Sequence, residues 1–213
     1  LADVSIPTSP IARGSVDFPA ILDPRALATR DSVLFVADDQ LGVLSVGITN
    51  KDAPHTFGLP SGSGARDLDL QGTMLLVASR ARGLQVVDVF NPATPILRSE
   101  VLLPTMFGVT RQGNTAVGCL GRAGVALIDV SIPASASLRS TVPAAGISRD
   151  AAWVGDTLLV TTGTSVERFL LATTLPAATG LSVTLDPTAA LPRALLTWNV
   201  PAATGQAGWS LYR

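Results

Sequence analysis

Gly83 to Val101 reads GLQVVDVFNPATPILRSEV, Gly124 to Val142 reads GVALIDVSIPASASLRSTV, and Leu1 to Val16, LADVSIPTSPIARGSV, is a third copy of the same phrase. Asp3, Asp88 and Asp129 are equivalent in the three. Two weaker copies, GVLSVGITNKDAP and SVERFLLAT, align with Ser45 and Arg168 at that place, giving steps of 42, 43, 41 and 39 residues. A second landmark keeps the same frame. ARDLDLQGTMLLVAS, MFGVTRQGNTAVGCL and SRDAAWVGDTLLVTT align Gly72, Gly113 and Gly155, steps of 41 and 42 residues, and PRALATRDSVLFVAD puts Asp31 one step earlier. A period of this length decides the architecture before any single residue is weighed.

Each unit contains four short apolar runs: one ending at the Gly turn, one of the LLVA type, one of the VVDV type and one of the LRSEV type. Turn formers such as Gln71-Gly72, Gln112-Gly113, Gly155-Asp156 and Asn91-Pro92 separate them. No window carries a helical period. Four antiparallel strands in about 42 residues is the signature of a β-propeller blade.

The stretch LLVASRARGLQVVDVFNPATP resembles the LVIVD-type repeat of bacterial and archaeal surface propellers, with DVSIP at 3–7 and 129–133 and DVFNP at 88–92 as good copies. The resemblance covers residues 1–172 and implies that the strand ending at the Gly turn is innermost and the LRSEV-type strand outermost. Three complete blades are then expected from Pro24 to Val142, with the inner three strands of a fourth from Ser148 to Ala172. Leu1 to Val16 would supply the outer two strands of an earlier blade. Closed propellers generally take four to eight blades, so the chain is expected to be a piece of a longer protein that holds the remaining blades. A four-bladed ring completed by the N-terminal strand is the alternative.

The period stops after Thr174. Residues 1–174 read as propeller, 175–180 as a linker, and 181–213 as the start of a sandwich. This last stretch, LSVTLDPTAALPRALLTWNVPAATGQAGWSLYR, resembles the opening of a fibronectin type III domain, where Trp198 and Tyr212 would belong to the core. Pairing of these strands onto the last blade is the alternative.

Composition excludes several chemistries. Fifteen basic residues against sixteen acidic ones leave no broad attraction to nucleic acid or an anionic membrane. One His and one Cys, His55 and Cys119, cannot build a zinc cluster or a disulfide framework, so neither a metal nor another cofactor is expected. Apolar runs such as Val33 to Ala37 and Met74 to Ala78 are far shorter than the roughly 20 residues of a spanning helix.

Arg25, Arg66 and Arg149 each stand six residues before the turn position, at the start of an innermost strand, with Phe107 at that place in the remaining copy. In a propeller these starts ring one mouth of the central channel, where converging guanidiniums can hold a carboxylate or phosphate. The alternative role is fixing blades to one another, through neighbouring carbonyls or an Asp such as Asp67 or Asp150. Asp3, Asp88 and Asp129 lie on different blades, too far apart for paired-carboxylate catalysis, and are expected to cap turns. Asp38-Asp39-Gln40 lacks the ligand spacing of a calcium loop. Ser61 to Ala65, SGSGA, is a connection rather than a nucleophile elbow. His55 is expected to be exposed, Cys119 buried and inert, and Phe35 and Phe107 to lie in the core.

A non-catalytic scaffold or spacer that engages a protein or glycan is therefore the expected function. The surface-propeller resemblance implies a bacterial extracellular or cell-surface location, and arginine in place of lysine everywhere but Lys51 points to a GC-rich genome. The alternative is a propeller hydrolase or lyase whose key groups lie in further blades.

Overall fold

The computed structural model describes residues 1–15, 23–61, 64–170, 179–186 and 193–199. They form two compact units, Leu1–Leu170 and Leu171–Arg213.

The first unit opens with a short hairpin, β1 (Ala2–Asp3) and β2 (Ile11–Ala12). Three four-stranded antiparallel sheets follow. The first contains β3 (Pro24–Arg30), β4 (Val33–Asp38), β5 (Gly42–Gly47) and β6 (His55–Ser61). The second contains β7 (Ala65–Gln71), β8 (Met74–Ser79), β9 (Gly83–Asp88) and β10 (Ile96–Val101). The third contains β11 (Gly108–Gln112), β12 (Thr115–Cys119), β13 (Val125–Asp129) and β14 (Ser137–Val142). A three-stranded sheet of β15 (Asp150–Val154), β16 (Thr157–Thr161) and β17 (Val166–Leu170) completes the unit. The second unit holds an antiparallel pair, β18 (Thr179–Asp186) and β19 (Arg193–Asn199), with Trp198 on β19; Tyr212 lies outside the described residues.

These are propeller blades. Each sheet meanders in sequence order, and β3, β7, β11 and β15, the strands that end at the repeated turn, adjoin one another in succession. The turn itself explains why the repeat keeps a glycine. Gly72, Gly113 and Gly155 sit at φ +60°, +57° and +57°, and Asp31 is at +54° in the first blade. Such tight hairpins need a left-handed residue, which Gly adopts freely and Asp tolerates.

Cores lie between blades, because each sheet is apolar on both faces. Phe35, Val43, Leu68, Leu75 and Val77 fill the first boundary. Leu76, Leu84, Val86, Met106 and Ile128 fill the second, and Val117, Cys119, Val125, Leu158 and Val160 the third. Each fully buried Leu, Ile or Val contributes about 1.5–3 kcal/mol. Polar ties cross the same boundaries. Val109 N donates to Asp67 Oδ2 at 2.8 Å and Arg111 N to Asp69 Oδ2 at 2.7 Å, while Ser45 Oγ donates to Pro92 O at 2.8 Å and Ser99 Oγ to Pro133 O at 2.6 Å.

Strand register corrects the frame of the two weak copies. Met74 faces Asp88 and Thr115 faces Asp129; the equivalent partners are Val33 with Gly47 and Thr157 with Leu170. Gly47 and Leu170, not Ser45 and Arg168, therefore stand at the Asp position, and the step becomes 41 residues throughout from Gly47 to Leu170. Close packing excludes Asp from the first of these: a Cβ on Gly47 would come within 2.5 Å of the His55 ring.

Candidate functional site

The starts of the innermost strands converge as the repeat implies. Arg25, Arg66, Phe107 and Arg149 line one solvent-open cavity of about 420 Å³. Turns between second and third strands border the same mouth, since Asp39 N donates to Asp23 O, Arg80 N to Gly64 O and Gly121 N to Ser148 O, each at 3.0–3.1 Å.

The three arginines are not equivalent. Arg66 Nε and Nη2 donate to Asp39 Oδ1 and Oδ2 at 2.9 and 3.0 Å, a two-point pair with a carboxylate only 4% exposed. Arg25 Nη2 donates to Asp23 Oδ2 at 2.5 Å and lies 3.8 Å from Asp39 Oδ2. Arg149 is exposed and has no carboxylate partner among the described residues. Its guanidinium carbon sits 5.3 Å from the Phe107 ring centre, and that of Arg66 sits 4.7 Å from the same ring. Phe107 is therefore no core residue, in contrast to Phe35: it is half-buried between two cations, an arrangement worth about 0.5–1 kcal/mol per contact at an exposed site.

Two carboxyls farther along β7 are raised by burial where they accept from the next blade's backbone. Burial pushes the Asp67 carboxyl up to about 6, against the lowering effect of the Val109 and Leu68 N–H groups and with the charges of Asp150 and Asp69 adding to the rise. Burial likewise raises Asp69.

Other candidate residues have structural employment. Asp3, Asp88 and Asp129 each accept from the backbone N–H two residues on, those of Ser5, Phe90 and Ser131, so they cap turns as expected. Asp88 and Asp129 also pair with Arg98 and Arg139, ten residues later. The Ser131 N–H, ahead of Arg139, holds the Asp129 carboxyl down at about 2. That pairing was readable in the sequence, because LRS recurs at one offset from both aspartates. Asp38 accepts from the backbone N–H groups of Asp23, Gln40 and Leu41, and Asp39 is taken by Arg66. His55 is exposed and edge-on to Phe57. Cys119 is buried. Among the described residues no group of three or more His, Cys, Asp or Glu side chains is placed to hold a metal ion, and no helix is long and apolar enough to cross a membrane.

Residues 62–102 match the LVIVD repeat. That segment is the second blade with its flanking residues. No curated protein matches the chain in sequence. Among solved structures, the computationally designed Ika4 protein is 8% identical with a TM-score of 0.60, over 74% of this chain and 96% of its own. The Cps50 (Swd1) β-propeller domain of Myceliophteria thermophila is 9% identical with a TM-score of 0.60, over 80% of this chain and 63% of that one. BamB from Moraxella catarrhalis is 15% identical with a TM-score of 0.51, over 67% and 42%. The chain thus spans 63% and 42% of the latter two. At these identities the likeness is one of fold: the protein is a β-propeller carrying an LVIVD repeat.

Proposed function

We propose that this chain is a binding module of the bacterial cell exterior that engages an anionic group of a protein or glycan partner at the mouth formed by Arg25, Arg66, Phe107 and Arg149. The observation that carries the reading is Arg149, an exposed guanidinium held over an aromatic ring with no carboxylate to neutralise it. Guanidinium stays protonated at any physiological pH and phenylalanine does not titrate, so the mouth offers charge, forked donors and an apolar surface. Those are the means of recognition rather than of proton transfer. Arg25 and Arg66, neutralised by Asp23 and Asp39, frame the site. Location outside the cell rests on the LVIVD match and the surface-propeller resemblance of the other copies.

Titration with N-acetylglutamate, followed by NMR, tests the site. Replacing Arg149 with Gln should weaken binding at least tenfold, the worth of one charge-assisted contact of about 1.5–3 kcal/mol, with the melting temperature unchanged. Equal binding by the variant would refute it.

One observation favours a hydrolase or lyase instead: Asp67, the residue after Arg66 on β7, has its carboxyl raised by burial to about 6, a value suited to general acid–base work. Turnover of an ester or glycoside panel that vanishes in Asp67→Asn would establish that reading.

A further inference from the structure

The arginines without partners are unevenly distributed. On the side of the blades away from the mouth, Arg98 and Arg139 pair with Asp88 and Asp129, Arg13 pairs with Asp52, and Arg30 and Arg111 bond carbonyls. On the mouth side, Arg80 and Arg122 occupy the turns between second and third strands of successive blades. Both are exposed, and among the described residues neither has a carboxylate partner. Arg149 is in the same condition. Arg168, on the last sheet, is the other described arginine of the first unit left so. Hydrogen bonds from Arg80 N to Gly64 O and from Gly121 N to Ser148 O fix those two turns against the starts of the innermost strands. Three of the four uncommitted arginines, Arg80, Arg122 and Arg149, therefore share one face with the cavity.

We infer that this face binds an acidic segment of polypeptide, one carboxylate entering the mouth at Arg149 and others meeting Arg122 and Arg80 on the turns. The inference rests on the anion reading of the mouth and extends it. A polypeptide fits better than a polyphosphate for a reason visible on the same face. Glu100 and the exposed Asp150 stand among the arginines, with Glu100 bound to Arg82 at 3.1 Å. A nucleic-acid strand carries about one charge per 3.4 Å without choice of position and would set phosphates against those carboxylates. A peptide can place carboxylates opposite arginines and neutral residues opposite the acids, which is how charged interfaces gain specificity.

Fluorescence anisotropy with a labelled (Asp-Gly-Ser)4 peptide tests this, using (Asn-Gly-Ser)4 and a single-stranded DNA 12-mer as comparisons. The acidic peptide should bind at least tenfold more tightly than the Asn peptide, and more weakly as salt rises from 50 to 300 mM. The double variant Arg80→Gln/Arg122→Gln should lose at least fivefold in peptide affinity while keeping its melting temperature and its binding of N-acetylglutamate. Arg98→Gln/Arg139→Gln should bind the peptide as the unaltered chain does. Peptide binding indifferent to Arg80 and Arg122, or tighter binding of the DNA, would overturn the inference and leave the mouth site standing. Loss of N-acetylglutamate binding by the unaltered chain would remove both.

Discussion

Arg66 and Asp39 clasp each other across the boundary between the first two blades, through parallel bonds of 2.9 and 3.0 Å. The carboxylate is almost wholly buried at the turn after β4, and the guanidinium comes from the second residue of β7. Removing one partner of a buried pair costs up to about 3–5 kcal/mol, whereas removing both together is far milder; Arg25, 3.8 Å from Asp39, is then the carboxylate's one remaining cation among the described residues. Arg66→Gln should therefore lower the denaturation midpoint sharply, and Arg66→Gln/Asp39→Asn should restore much of it. Additive losses in a urea double-mutant cycle would show that the pair is not coupled.

That pair was not legible in the sequence, whereas the ring of mouth residues was. Arg25, Arg66, Phe107 and Arg149 recur at a fixed distance from a turn with positive φ, so periodicity alone brings them together. Asp39 belongs to one blade and has no counterpart to mark it. The misplaced landmarks show the other limit. Ser45 and Arg168 differ from the true positions, Gly47 and Leu170, by two residues. A shift of two leaves every side chain on its proper face of a strand, so apolar patterning gave no warning. The same periodicity that sets Phe107 beside Arg66 and Arg149 conflicts with the core reading of it, and the cations of the two adjoining blades decide the matter, holding its ring at the mouth.

Asp67 should make stability fall as pH rises toward neutrality. Its carboxyl is raised from 3.8 to about 6 in the folded chain, chiefly by burial. Between those values the folded chain holds a proton that the unfolded chain has released, so the stabilisation is full below about pH 4 and is lost as pH passes 6. Asp69 is raised too and acts in the same direction. Asp67→Asn keeps an oxygen to accept from Val109 N without the charge. The variant should melt higher than the unaltered chain at pH 7.5 and with it at pH 4.5. Parallel melting curves against pH for the two proteins would exclude this account.

Two glycines with similar backbone angles should respond differently to alanine. Gly72 (φ +60°) turns in open solvent, with nothing within 4 Å of an added Cβ. Gly83 (φ +71°) starts β9 against the end of the outermost strand, and its Cβ would lie 2.5 Å from Val101 O and 2.6 Å from Leu103 N. Gly72→Ala should cost about 1–2 kcal/mol, the strain of a left-handed L-residue. Gly83→Ala must also move backbone that belongs to the ladder and should cost clearly more. Equal urea midpoints for the two variants would contradict the packing described at the head of β9.

Cys119 should be silent to thiol reagents until the protein unfolds. It lies on β12 among Val117, Val125, Leu158 and Val160, in the core between the third and fourth sheets. Burial, followed by the charges of Asp150 and Asp67, pushes its thiol up to about 12. At pH 8 only about one molecule in ten thousand would then carry the reactive thiolate, even where reagent could reach it. Ellman's reagent should therefore release no colour from the native chain and one equivalent in urea, at a rate that follows unfolding. The repeat also indicates which substitution the site accepts. Ala37, Ala78 and Thr161 take the place of Cys119 in the other blades, facing the equivalent innermost residues Ala26, Asp67 and Asp150 as Cys119 faces Gly108. Cys119→Ala should thus cost about 1 kcal/mol, a small cavity, whereas Cys119→Leu would overpack the boundary and cost about 1–3 kcal/mol. Prompt reaction of the native thiol would mean that the third and fourth sheets part readily in solution.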